Sequence, residues 1–179
     1  KATSASDNNN PQSLLFTGSQ SGISVFSCSN SNGSPSSSST RADYIPDVTR
    51  TKTDKNGHKD EVLGMVRVDI LDQPFIVSCS KDTTLKVYDP TLLKSVNTMF
   101  GHSAAVTNVR VDSVTNRAFS TDAAGMLFQW SLEGFYNEDS IQAHSEPIRS
   151  LSLIRCSDQL LVATGAQDNS IKLWRPTIE

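Results

Sequence analysis

The chain has 179 residues, 36% of them apolar and 20% charged, with a formal charge of −3. That is apolar material for a modest core. With 16 Lys and Arg against 19 Asp and Glu, and no dense basic run, nucleic acid is excluded as the expected partner. No apolar run approaches the ~18–20 residues of a membrane span, the longest being short stretches such as LLVATGA at 160–166. Three cysteines, Cys28, Cys79 and Cys156, have neither metal-ligand nor disulfide-framework spacing. A reducing, cytoplasmic setting is expected, with Cys79 and Cys156 as small buried hydrophobes. The opening KATSASDNNN has no initiator Met and no apolar signal core, so the chain is expected to be a piece of a longer protein.

In chain order, LLFTGSQSGISVF at 14–26 gives two short strands joined by a turn, with Thr17, Ser21 and Phe26 as marked positions. Residues 28–56 are rich in Ser, Asn and Thr and cannot order by burying surface. Within them ADYIPDVT at 42–49 is a candidate outer strand. Ser34-Pro35 fits proline-directed phosphorylation, which leaves the insert open as a solvated loop or a regulatory segment, and Asn32-Gly33-Ser34 fits the glycosylation pattern by coincidence of composition.

From residue 57 the chain repeats itself. GHKDEVLGMVRV (57–68), GHSAAVTNVRV (101–111) and AHSEPIRSLSL (143–153) align on His58, His102 and His144, which are 44 and 42 residues apart. Tyr88, Trp130 and Trp174 keep the same step, each 28 or 30 residues after its own histidine. Inside each unit FIVSCS, RAFST and LLVATGA read as strands; the turn segments KDTT, DAAG and QDNS follow, then second strands LKVYD, LFQWS and IKLWR. No 3.6-residue period persists, so the chain reads as all-β, about four strands per unit of 42 to 44 residues.

The Gly-His, the turn Asp and the aromatic six residues later resemble the tryptophan-aspartate (WD) repeat family over nearly the whole chain. The resemblance implies a partial β-propeller of about three and a half four-stranded antiparallel blades. These are a half blade at 1–27 with its second and third strands, the insert at 28–56, and repeats at 57–100, 101–142 and 143–179. It also implies a network of loop histidine, strand hydroxyl, turn Asp and strand aromatic in each unit. His144, Thr164, Asp168 and Trp174 match it fully. His58, Ser78 and Asp82 match with Tyr88 in place of Trp, whose hydroxyl stands elsewhere than an indole N–H, so the last link is expected to fail. In the third set, His102, Ser120 and Trp130, the residue six before Trp130 is Ala124, and Asp122 comes two residues early; this network is expected to be incomplete.

His, Ser and Asp together could suggest a hydrolase triad. A constellation repeated at each unit is structural, however, and no Gly-x-Ser-x-Gly elbow is present. All three histidines are claimed by the repeat phase, and no glycine loop cradles phosphate, so no metal, cofactor or catalytic residue is expected. By the same resemblance, other proteins or peptides dock on the loops at one end of the propeller. The positions are Gln20, Lys81, Ala123 and Gln167 before the turn acid, and Lys59, Asp60, Ser103, Ser145 and Glu146 after the histidines. Arg67, Arg110 and Arg149 fall near equivalent positions and could add an anion-attracting rim. The resemblance implies a protein-interaction scaffold completed by a missing propeller half, in the same chain or another. Its rivals are the regulatory segment of a multidomain enzyme and a phosphopeptide or degron reader.

Overall fold

The computed structural model describes residues 13–19, 22–29 and 47–53 by their backbone course, and residues 56–70, 73–90, 92, 94–157 and 159–176 with side chains. Gln20, Ser21 and the Ser34 region lie outside the described residues, as do the side chains of Thr17 and Phe26. The strands are β1 (Ser13–Ser19), β2 (Gly22–Ser29), β3 (Asp47–Thr53), β4 (Val62–Ile70), β5 (Gln73–Ser80), β6 (Leu85–Asp89) and β7 (Lys94–Met99). They continue as β8 (Val106–Asp112), β9 (Arg117–Asp122), β10 (Met126–Ser131), β11 (Tyr136–Gln142), β12 (Ile148–Cys156), β13 (Gln159–Ala166) and β14 (Ile171–Trp174). No helix occurs among the described residues, and hence none long and apolar enough to cross a membrane.

Each strand pairs antiparallel with the next, giving sheets β1–β3, β4–β7, β8–β11 and β12–β14. The first strand of each sheet packs on its predecessor: β8 touches β4 and β5, β12 touches β8 and β9, and β4 touches β1. Sheets stacked through their first strands in this way form a partial β-propeller. The two middle sheets are complete. The outer strand of the first is β3, which begins at Asp47 and overlaps the stretch 42–49 only at its end. Its β-branched Val48, Thr49, Thr51 and Thr53 suit a pleated surface.

Packing explains why the second strands are apolar on both faces. One cluster, with Val77, Leu85, Val87, Met99, Val109, Phe128, Trp130 and Leu132, fills the gap between the second and third sheets. Another, with Phe119, Leu127, Ile148, Leu151, Leu160 and Val162, fills the gap between the third and fourth. Burying each such side chain is worth about 1.5–3 kcal/mol, so neighbouring sheets hold one another as a stiff stack.

The first strands of the second, third and fourth sheets each bulge near the start, between Val62 and Gly64, between Val106 and Asn108, and between Ile148 and Ser150. The extra residues are Leu63, Thr107 and Arg149. Cys79 is fully buried, and burial pushes its thiol up to about 12. Cys156 departs from the sequence expectation: it ends β12 beside a turn and is exposed.

Candidate functional site

The hairpins joining the second and third strands have one geometry in all three described cases. Counting from the hydroxyl residue, the fifth position is left-handed, at Thr83 (φ 67°), Gly125 (φ 84°) and Asn169 (φ 61°). The tenth is the aromatic. Only Gly125 takes this φ without steric cost. A Cβ there would also come within 2.1 Å of the His144 carbonyl oxygen, which packs against this turn.

Each hairpin receives a histidine from the loop before its sheet. In the fourth sheet His144 Nδ1 lies 2.8 Å from Asp168 Oδ2, and Nε2 lies 2.8 Å from Thr164 Oγ1. A carboxylate only accepts, so Nδ1 carries the proton and, in the neutral ring, Nε2 accepts from the threonine hydroxyl. The Trp174 indole N–H donates to the same oxygen at 2.8 Å. Four polar groups are thereby satisfied by one another, each of which would cost about 1–3 kcal/mol if buried unpaired.

The third sheet corrects the expectation of an incomplete network. Asp122 Oδ2 lies 2.8 Å from His102 Nδ1, Ser120 Oγ lies 2.7 Å from Nε2, and the Trp130 N–H donates to Ser120 at 2.8 Å. The acid reaches the ring from the end of β9, not from the turn. Its other oxygen accepts the backbone N–H groups of Ala124 and Met126, both at 2.9 Å. Two positions two residues apart thus supply the same carboxylate.

In the second sheet His58 reaches Asp82 at 2.9 Å and Ser78 at 2.7 Å. Where an indole donates in the other two sheets, Ser78 Oγ instead lies 3.4 Å from the Lys86 carbonyl. The Tyr88 ring stands 6.5 Å from the imidazole and packs with Ile76, Val62 and Met65. Burial lowers the His58 pKa against the opposing pull of Asp82. Burial would raise Asp82, but hydrogen bonds from Thr84, the Lys59 N–H and His58 outweigh it and hold the carboxyl at about 2. Asp168 is likewise held at about 2, chiefly by Ser170.

Thr84 and Ser170 escaped sequence reasoning. Their hydroxyls donate to Asp82 and Asp168 at 2.7 Å. The legible signal was a hydroxyl two residues after an acid in a turn. Phe128 was also missed. Its ring lies 4.0 Å from the His102 ring and stacks on Trp130 at 5.4 Å. At the equivalent position the second and fourth sheets carry Lys86 and Lys172.

Histidine, hydroxyl and carboxylate have the connectivity of a hydrolase triad, yet Ser78 and Ser120 are 0% exposed and Thr164 1%. No substrate carbon can reach these oxygens. The loops above are accessible. Lys59, Asp60, Lys81, Ser103, Ser145, Glu146 and Gln167 are all exposed, and Ala123 is half-buried. Lys81, Ala123 and Gln167 occupy one equivalent place: their N–H groups donate to the carbonyls of Glu61, Ala105 and Pro147 at 2.9, 2.9 and 3.0 Å. Lys81 pairs with Glu61.

The three arginines do not form a rim. The register puts Arg67 two residues after Met65, the partner of Ser78, and Arg110 one residue after Val109, the partner of Ser120. Arg149 lies two residues before Leu151, the partner of Thr164. Arg67 binds Asp69 at 2.8 Å, Arg110 its neighbour's carbonyl, and Arg149 the Gln167 amide oxygen.

The WD domain, G-beta repeat, profile matches residues 50–89 and 136–175. The chain carries WD repeats at these two positions. Each match takes in all or part of the outer strand of one sheet and the first three strands of the next, so each repeat links two sheets. The unit with the early acid lies between the two matched segments. Telomerase protein component 1 of Mus musculus is 30% identical over 110 residues, covering 58% of this chain and 4% of its own length. ASTRA-associated protein 1 of Candida albicans (strain WO-1) is 32% identical over 84 residues, covering 46% of this chain and 21% of its own length. The WD-repeat chain thus spans only a small part of these relatives. Its fold superposes on a crystal structure of the computationally designed Ika8 protein with a TM-score of 0.65 at 20% identity, over 91% of this chain and 43% of that one.

Proposed function

We propose that the chain is a non-catalytic platform for protein–protein contacts, a propeller segment of a larger cytoplasmic protein that binds other proteins or peptides through the loops around His58, His102 and His144. One observation carries the reading. The hydroxyls that would serve as nucleophiles are sealed at 0–1% exposure, while Lys59, Asp60, Lys81, Ser103, Ser145, Glu146 and Gln167 stand exposed at one end of stiff hairpins. Rigid scaffolds presenting varied loops are what recognition requires. The much greater length of the relatives, named as a component and an associated protein, supports a larger context. The remaining blades would come from the rest of that protein or from a second chain. A phosphopeptide reader draws no support, because its arginines do not converge.

Photo-crosslinking tests the proposal. A benzoylphenylalanine at Lys81, Ser103 or Glu146 of the full protein in cells is expected to capture other polypeptides, and one at Leu92 or Val114, at the opposite end, is not. The reverse pattern rejects the reading. Ester hydrolysis by the folded chain, lost in a folded His144→Ala variant, rejects its non-catalytic part.

A further inference from the structure

The three buried histidines are preceded by different residues. Phe100-Gly101 stand before His102 in the third sheet and Gln142-Ala143 before His144 in the fourth, but Asn56-Gly57 stand before His58 in the second. The glycine suits close packing: at Gly101 a Cβ would come within 3.2 Å of the Trp130 ring. The asparagine in front of it is particular to the second sheet.

An asparagine followed by glycine holds a nucleophile and an electrophile in one dipeptide. The backbone nitrogen of the glycine can close on the side-chain amide carbon, and no Cβ on the glycine obstructs it. The other described asparagines lack this freedom. Asn97, Asn108 and Asn137 lie within β7, β8 and β11, and Asn116 leads directly into β9. Asn169 sits in a turn, but the Ser170 N–H that would have to attack is held by Asp168 Oδ1 at 3.0 Å. All five are followed by a residue with a side chain: Thr98, Val109, Glu138, Arg117 or Ser170. Asn56 is exposed, lies in a turn outside the strands, and is followed by Gly57. The chain's other Asn-Gly pair, Asn32-Gly33, lies outside the described residues.

What comes next in the chain is pinned to one hairpin. The His58 ring is held at both nitrogens, by Asp82 at 2.9 Å and Ser78 at 2.7 Å. The Lys59 N–H donates to Asp82 at 2.9 Å, and the Asp60 carbonyl accepts the Ser80 hydroxyl at 3.1 Å.

We propose that Asn56-Gly57 is a self-modifying site, at which conversion of the asparagine to isoaspartate loosens His58 from its hairpin and adds a negative charge beside Lys59 and Asp60. The Gly57 nitrogen bonds to the Asn56 side-chain carbon and loses its proton, the amide nitrogen leaves as ammonia, and a cyclic imide remains. Water then opens one of the two C–N bonds of the imide. Opening at the side-chain carbonyl gives aspartate; opening at the main-chain carbonyl gives isoaspartate, whose main chain runs through the former side chain. Amide and water become carboxylate and ammonia, so no oxidant, reductant or enzyme is required. Isoaspartate lengthens the main chain by a methylene two residues before a ring held at two points. Hydrogen bonds weaken steeply once their geometry is lost, and the buried groups left unpaired destabilise the second sheet. The reaction proceeds whether or not this loop binds a partner.

The test is ageing of the full 179-residue chain in warm, mildly alkaline buffer, then peptide mapping with electron-transfer fragmentation, which distinguishes isoaspartate from aspartate. Asn56 is expected to convert while Asn97, Asn108, Asn116, Asn137 and Asn169 remain amides, with isoaspartate among its products. Hydrogen exchange on the aged protein is expected to show lost protection at Lys59 and around Ser78 and Asp82, and unchanged protection at the equivalent residues of the third sheet. Freshly prepared Asn56→Asp, which adds the charge without lengthening the main chain, should keep that protection. Asn56→Gln, whose longer side chain disfavours ring closure, should abolish both changes on ageing. The mapping needs no variant at all. The proposal is overturned if Asn56 stays an amide while Asn32 converts, if it converts no faster than Asn169, or if isoaspartate forms and protection at Lys59 persists.

Discussion

The second and third sheets solve one problem with different residues. Each must bury an imidazole between blades and satisfy both of its nitrogens. The third does it with an acid at the end of β9, an indole donor and an aromatic lid: Asp122, Trp130 and Phe128. The second uses a turn acid braced by Thr84 and the Ser78 hydroxyl without an indole donor, and has Lys86 at the lid position. What is held constant is the hairpin, with its left-handed fifth residue and its aromatic at the tenth, and not the sequence place of the acid. The fold selects for an oxygen at a point in space.

The comparison breaks most sharply at the hydroxyl. Ser120→Ala strands both the His102 ring and the Trp130 N–H, and is expected to cost about 2–6 kcal/mol, against about 1–3 for Ser78→Ala, where no indole is involved. Urea unfolding of the two variants checks this; equal losses would mean that the indole link contributes little. Phe128→Ala removes the lid and is expected to cost about 3–5 kcal/mol. The fluorescence of Trp130 should shift to longer wavelength as water enters.

Moving the acid sharpens the point. Asp122→Ala alone is expected to cost about 1–3 kcal/mol. Adding Ala124→Asp puts a carboxylate where the other two sheets have theirs, and should recover much of that loss in the same urea assay. No recovery would show that the hairpin of the third sheet is tuned to its early acid.

The smallest effect is the dependence on pH. The folded-state pKa of His58 is lowered, so the folded state binds fewer protons there, and stability is present above the unfolded value of about 6.5 and declines below it. Asp82 and Asp168, held at about 2, contribute stability that is present above their unfolded value and lost as pH falls toward 2. A urea midpoint that falls in two stages on acidification is expected. His58→Gln should remove the first stage, and a profile unchanged by it would contradict the lowered pKa of His58.

Much of this was legible in residue order. The all-β class, the repeat and the network of the fourth sheet follow from spacing, because a hairpin of fixed length puts its hydroxyl and aromatic ten residues apart wherever it occurs. Asp122 was misjudged because counting back from Trp130 assumes that the acid sits in the turn; a strand-end side chain two residues earlier reaches the same ring. Thr84 and Ser170 looked like ordinary turn residues. The arginines stand 9, 8 and 5 residues after His58, His102 and His144, so a near match in residue order put them at three different places along the first strands.

Sequence by itself therefore determined the strand class, the repeat and the histidines, hydroxyls and aromatics that recur in it, since period and polarity are local properties of the chain. Tertiary structure alone decided which carboxylate meets which imidazole and that the hydroxyls are sealed from substrate. Those outcomes depend on how side chains from neighbouring sheets share a volume, and volume is a property of the packed assembly.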